Sequence, residues 1–118
     1  MRRVVYETTV LEEPLFVSAM HWIKSVAIRP TWEIGNISFT VKVREKGRLV
    51  LATKENDVVE VVFDGANRKI TFTFDGRESF CESMIRHVIS EKDDMLILTF
   101  GSIVTRLYVK KKEDSMYS

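Results

Sequence analysis

The sequence predicts a mainly β protein: an antiparallel sandwich of seven or eight strands, with at most one or two short helices. Three observations carry this. Ile37, Phe39, Val41 and Val43 alternate with Ser38, Thr40, Lys42 and Arg44, the period of two that a half-buried strand imposes. The rhythm resumes in Leu49 and Leu51, in Val59, Val61 and Phe63, and in Ile70, Phe72 and Phe74. Short polar or glycine-containing links separate these runs, so consecutive strands are expected to be antiparallel neighbours. A small β-barrel, or an α+β fold with a helix over residues 79–90, is the alternative.

The elements follow in order. Residues 4–11 form a first strand, with Val4, Tyr6, Thr8 and Val10 on one face, closed by Glu12, Glu13 and Pro14 because proline cannot donate to a ladder. Residues 15–28 fit two patterns. Leu15, Ala19, Trp22 and Val26 suit a helix face, while Trp22, Val26 and Ile28 suit an extended run. The expectation here is extended structure with one helical turn near 18–22, closed by Pro30. Strands at 33–44, 48–53, 58–63 and 69–74 come next, joined by Glu45-Lys46-Gly47, a polar loop at 54–57, and Asp64-Gly65-Ala66-Asn67. Ser79-Phe80-Cys81-Glu82 matches a capping box, and Phe80, Met84 and Val88 then fall at i, i+4 and i+8. A strand through Cys81, Ile85, His87 and Ile89 competes with that helix. Strands at 95–100 and 103–109 complete the set, with Gly101-Ser102 as a break between them. Residues 1–112 make a single β-rich domain and 113–118 a flexible polar tail.

Length and charge bound the function. With 118 residues there is room for one core. A net charge of +1, from 18 basic and 17 acidic residues, builds no long-range attraction to polyanions into the molecule as a whole. Cys81 is the only cysteine, so no intramolecular disulfide can form, and a reducing intracellular compartment (cytoplasm or nucleus) is expected. No stretch is long and apolar enough to span a bilayer, since His21 and Lys24 interrupt the best candidate.

No constellation of catalytic residues stands out, and a non-enzymatic protein is expected. His21 and His87 lack ligand spacing to each other or to Cys81, so neither metal nor cofactor is expected. Cys81 sits among Phe80, Met84 and Ile85, the surroundings of a buried thiol. The pairs Glu12-Glu13 and Asp93-Asp94 fall at turns, and no glycine pattern resembles a phosphate-binding loop.

Other residues point to binding. Trp22 and Trp32 are candidate anchors, Trp32 the better placed beside Pro30 and Thr31. Arg106 and Tyr108, with Arg2, Arg3 and residues 110–112, would form a basic–aromatic patch if the first and last strands pair. Val5, Leu11, Val58, Val62, Leu96, Leu98, Phe100 and Val104 lie opposite the apolar members of their strands, leaving several strands apolar on both faces. Another protein chain is the preferred cover. The interface candidates are therefore Trp22, Trp32, Tyr108, Arg106, Leu96, Leu98 and Phe100.

The rhythm of Ser38-Phe39-Thr40-Val41-Lys42-Val43, of Leu49-Val50-Leu51 and of residues 61–68 resembles that of galectin-like sandwiches, including the farnesoic-acid methyltransferase-type module. That resemblance implies a galectin-like or jelly-roll sandwich. The histidine–asparagine–arginine sugar-binding pattern is missing from these strands, so no carbohydrate residues are carried over. The leading expectation is a protein-interaction module, as a homo-oligomer or a subunit of a complex, that docks through an apolar sheet face or an edge strand. A small-ligand or carbohydrate-binding sandwich and a weak nucleic-acid binder using the basic termini are the alternatives.

Overall fold

The computed structural model describes residues 1–26, 31–34, 36–100 and 103–117. Pro30 and Gly101-Ser102, expected as breaks, lie outside them. In chain order the elements are β1 (Arg2–Thr8), α1 (Glu13–Val26), β2 (Thr31–Ile34), β3 (Ile37–Arg44), β4 (Arg48–Ala52), β5 (Val58–Asp64) and β6 (Lys69–Gly76), followed by α2 (Glu78–Val88), β7 (Ile89–Ser90), β8 (Met95–Phe100) and β9 (Ile103–Met116). Strand accounts for 54% of the protein, so the class is mainly β.

The strands do not divide into two stacked layers. They form one antiparallel sheet in the order β2-β3-β4-β5-β6-β1-β9-β8-β7, curled into a half-barrel. The small-barrel alternative fits this shape. Curling solves the burial problem that a second sheet would otherwise solve, because the concave side closes on itself and on two helices. Two irregularities of register help the sheet bend, one between Val41 and Val43 on β3 and one between Val5 and Tyr6, where Lys112 of β9 is the extra residue.

The meander from β3 to β6 follows the sequence pattern, and its inward residues Phe39, Leu49, Leu51, Val59, Val61, Phe63, Ile70, Phe72 and Phe74 are all buried. The single strand expected at 33–44 is instead two, because the chain turns at Asn36 and β2 pairs back on β3 with Ile34 opposite Ile37. On β1, Val4 and Tyr6 lie opposite Phe74 and Phe72 of β6, and the Tyr6 and Phe74 rings sit 6.3 Å apart. The alternation expected on the first strand stops earlier, since β1 ends at Thr8 and Val10 is exposed.

Residues 13–26 are a helix, which corrects the extended reading over 15–26; residues 27 and 28 of that reading lie outside the described residues. Pro14 stands in the first turn, where its missing N–H costs nothing and its fixed φ suits the helix, so here it starts an element as well as ending one. The buried face is Phe16, Ala19 and Ile23, at i, i+3 and i+7, while Leu15 is exposed. Over 78–88 the helical alternative holds, with Phe80, Cys81, Met84 and Val88 buried as the spacing predicts. The Phe80 ring meets Phe39 at 6.1 Å. The cap differs from the capping box read in the sequence: Arg77 is the N-cap and makes no side-chain cap bond.

A distant carboxylate secures that junction instead. Asp57, 1% exposed, accepts from the Arg77 backbone N–H at 2.9 Å and from its guanidinium at 3.0 and 2.6 Å. Thr53 holds the loop from the other side, its hydroxyl accepting from the Asp57 N–H at 3.1 Å. The tail expected after Lys112 remains paired, with β9 running beside β1 to Met116.

Two outcomes test this latch. Asp57→Ala should lower unfolding free energy by about 2–3 kcal/mol, the usual contribution of hydrogen bonds to a charged group, measured by urea titration. A Cβ on Gly76 would stand 2.2 Å from Asp57 Oδ1, so Gly76→Ala should cost about 1–3 kcal/mol by overpacking. That cost should shrink in an Asp57→Ala background, because the clashing atom is gone.

Candidate functional site

The free edge of β8 is built from an uncharged run, Met95-Leu96-Ile97-Leu98-Thr99-Phe100. On one side it pairs with β9 along its whole length, from Met95 with Tyr108 to Phe100 with Ile103. On the other side β7 covers only Leu96 and Met95. Among the described residues nothing pairs with 98–100 on that side.

The direction of the unpaired groups follows from one bond. The Val109 N–H donates to the Asp94 carbonyl at 2.8 Å, and Asp94 stands opposite Val109 in the β8–β9 register. In an antiparallel ladder such bonded pairs recur at every second residue, so Leu96, Leu98 and Phe100 turn their backbone groups toward β9. On the β7 side Leu96 faces Ile89 without exchanging bonds, so the next bonded pair sets Ile97 opposite Val88 and engages the Ile97 N–H, and Thr99 turns its N–H and C=O to the open edge. Natural sheets blunt such edges with charge, proline or bulges, and β8 carries none of these on the described residues.

Side chains along β8 divide by face. Leu96, 1% exposed, and the half-buried Leu98 point inward and line an apolar cavity of about 30 Å³ with Ile23, Ile34, Met84 and Val88. Ile97 is half-buried and Thr99 exposed on the outer face. The outer-face neighbours on β9 are Val104, Arg106 and Tyr108, the last 62% exposed. Of the residues singled out from the sequence, the sheet thus brings Leu96, Leu98, Arg106 and Tyr108 onto two neighbouring strands. Trp22 lies apart on α1, half-buried, its indole Nε1 enclosed without a hydrogen-bond partner. The side chains of Trp32 and Phe100 fall outside what is described. Ile97 and Thr99 were not singled out; their signal is the absence of any charge from 95 to 100.

The basic ends do meet, because β1 and β9 are adjacent, but most of their charge is matched locally. Arg2 donates to both Asp114 oxygens at 2.9 and 2.7 Å, and Arg3 pairs with Glu113. Glu7 receives Lys69 and Lys112, each at 3.3 Å, and Lys111 reaches Asp114 at 3.4 Å and Glu91 at 3.5 Å. Arg106 and Lys110 alone in this group make no ion pair. Val5, on the outer face of β1 amid this ladder, is only 4% exposed and is flanked in register by Thr73 and Glu113. For Val5, the second cover comes from the chain itself.

Two other clefts carry groups of both signs. One of about 380 Å³ is lined by Ser38, Thr53, Lys54, Arg77, Ser79 and Ser83, and its buried acid, Asp57, is fully engaged by Arg77. Another, of about 220 Å³, is lined by Tyr6, Glu91, Asp94 and Lys111. Burial, then the hydrogen bond to Glu91, raises the Tyr6 pKa far above its ordinary value, so the phenol stays protonated. Cys81 is buried, its thiol bonded to the Phe74 carbonyl at 3.7 Å, and burial pushes its pKa up to about 11. His87 is exposed and bonds the Ser83 carbonyl at 2.7 Å, and His21 is exposed on α1. Among the described residues, no three His, Cys, Asp or Glu side chains are grouped to hold a metal, and no helix is long and apolar enough to cross a membrane.

No family model, curated protein or solved structure matches the chain.

The ion-pair ladder predicts a pH dependence. The Arg2 hydrogen bond lowers the Asp114 pKa; at Glu7, burial acts upward, but the bonds from Lys112 and Lys69 prevail and lower it. A carboxyl depressed on folding stabilises above its unfolded pKa, and that contribution is lost as pH falls through the folded value. Tm should therefore fall on acidification below about pH 4, the ordinary carboxylate range. Asp114→Asn should flatten that fall in thermal melts from pH 5 to 2.

Proposed function

We propose that this protein is a non-enzymatic interaction module, or a subunit of a complex, that docks another polypeptide by strand addition to the open edge of β8. One observation carries the reading: Thr99 presents a backbone donor and acceptor on an uncharged edge that β7 leaves uncovered. Backbone bonds to an added strand would supply affinity, and alternate side chains on the two faces would supply selectivity. The exposed Tyr108 and Val104 on the neighbouring strand extend the contact on the outer face.

The ligand-binding and nucleic-acid readings find less support. The apolar cavity of about 30 Å³ has room for little more than a water molecule. Two unpaired cations, Arg106 and Lys110, are a small electrostatic footprint for phosphates.

Thr99→Pro is the discriminating variant. Proline removes an outward N–H and leaves the β9 ladder intact, so the fold should survive with Tm little changed. Protein captured from the native extract by the wild type, quantified by light scattering after size exclusion, should be lost with Thr99→Pro. Equal capture by both, or a strict monomer that captures nothing, overturns the proposal.

A further inference from the structure

We draw no further inference here: the strongest candidate, the cleft of about 380 Å³ where Lys54, Arg77, Ser79 and Ser83 meet beside the first turn of α2, rests on a helix N-terminus whose buried acid, Asp57, is already bonded to Arg77, and no second observation in the structure points to a ligand.

Discussion

The pairing of β1 with β6 on one side and β9 on the other is the constraint on which the rest of the molecule depends. Val4 stands opposite Phe74 in one ladder and Asp114 in the other. Without β1, the meander of β2 to β6 and the short β7-β8-β9 unit are two separate sheets, each too small to bury its apolar face. With it they become one curled surface around Phe80, Cys81, Met84 and Val88 of α2. The contacts that achieve this join residues about seventy and over a hundred positions apart, so their loop-closure cost must be met before the core rewards it. The charged ladder of Arg2, Arg3, Glu7 and residues 110–114 sits on that junction. It makes the pairing specific more than it makes it strong, since exposed ion pairs contribute at most about 1 kcal/mol each.

The distribution of charge separates what the protein protects from what it leaves open. Among the described residues, the centre of the sheet, where the ends meet, carries most of the matched ion pairs. Asp57 is spent on the β6–α2 junction, and Tyr6 and Cys81 are held protonated by burial. At the margin the pattern reverses. β8 carries no charge along its open edge, and its inward residues adjoin an apolar cavity lined from both ends of the sheet. An edge of this kind favours pairing with another strand, which is a hazard for a protein that must stay alone and a binding surface for one that must not.

The departures from the sequence pattern have physical causes. Pro14 closes a strand-like run, but the same missing N–H suits the first turn of a helix, and only the burial of Phe16, Ala19 and Ile23 decides between them. Residues 79–88 were ambiguous because Cys81, Ile85 and Ile89 also fit a period of two. The helix prevails where Phe80 meets Phe39, forty-one positions away. Leu96 and Leu98, expected on an extra apolar face for a partner to cover, line the interior instead. Thr99, which directs the open backbone groups, carries no distinctive side-chain signal.

By itself the sequence determined the period-two runs, the turns between them, the mainly β class and the position of the buried thiol, because side-chain alternation and turn chemistry act between residues close along the chain. Tertiary structure alone decided that the layers are one curled sheet, that β1 lies at its centre and that β8 is left with a bare flank. Those outcomes depend on which distant strands find each other, and the free energy of such pairing resides in no single segment.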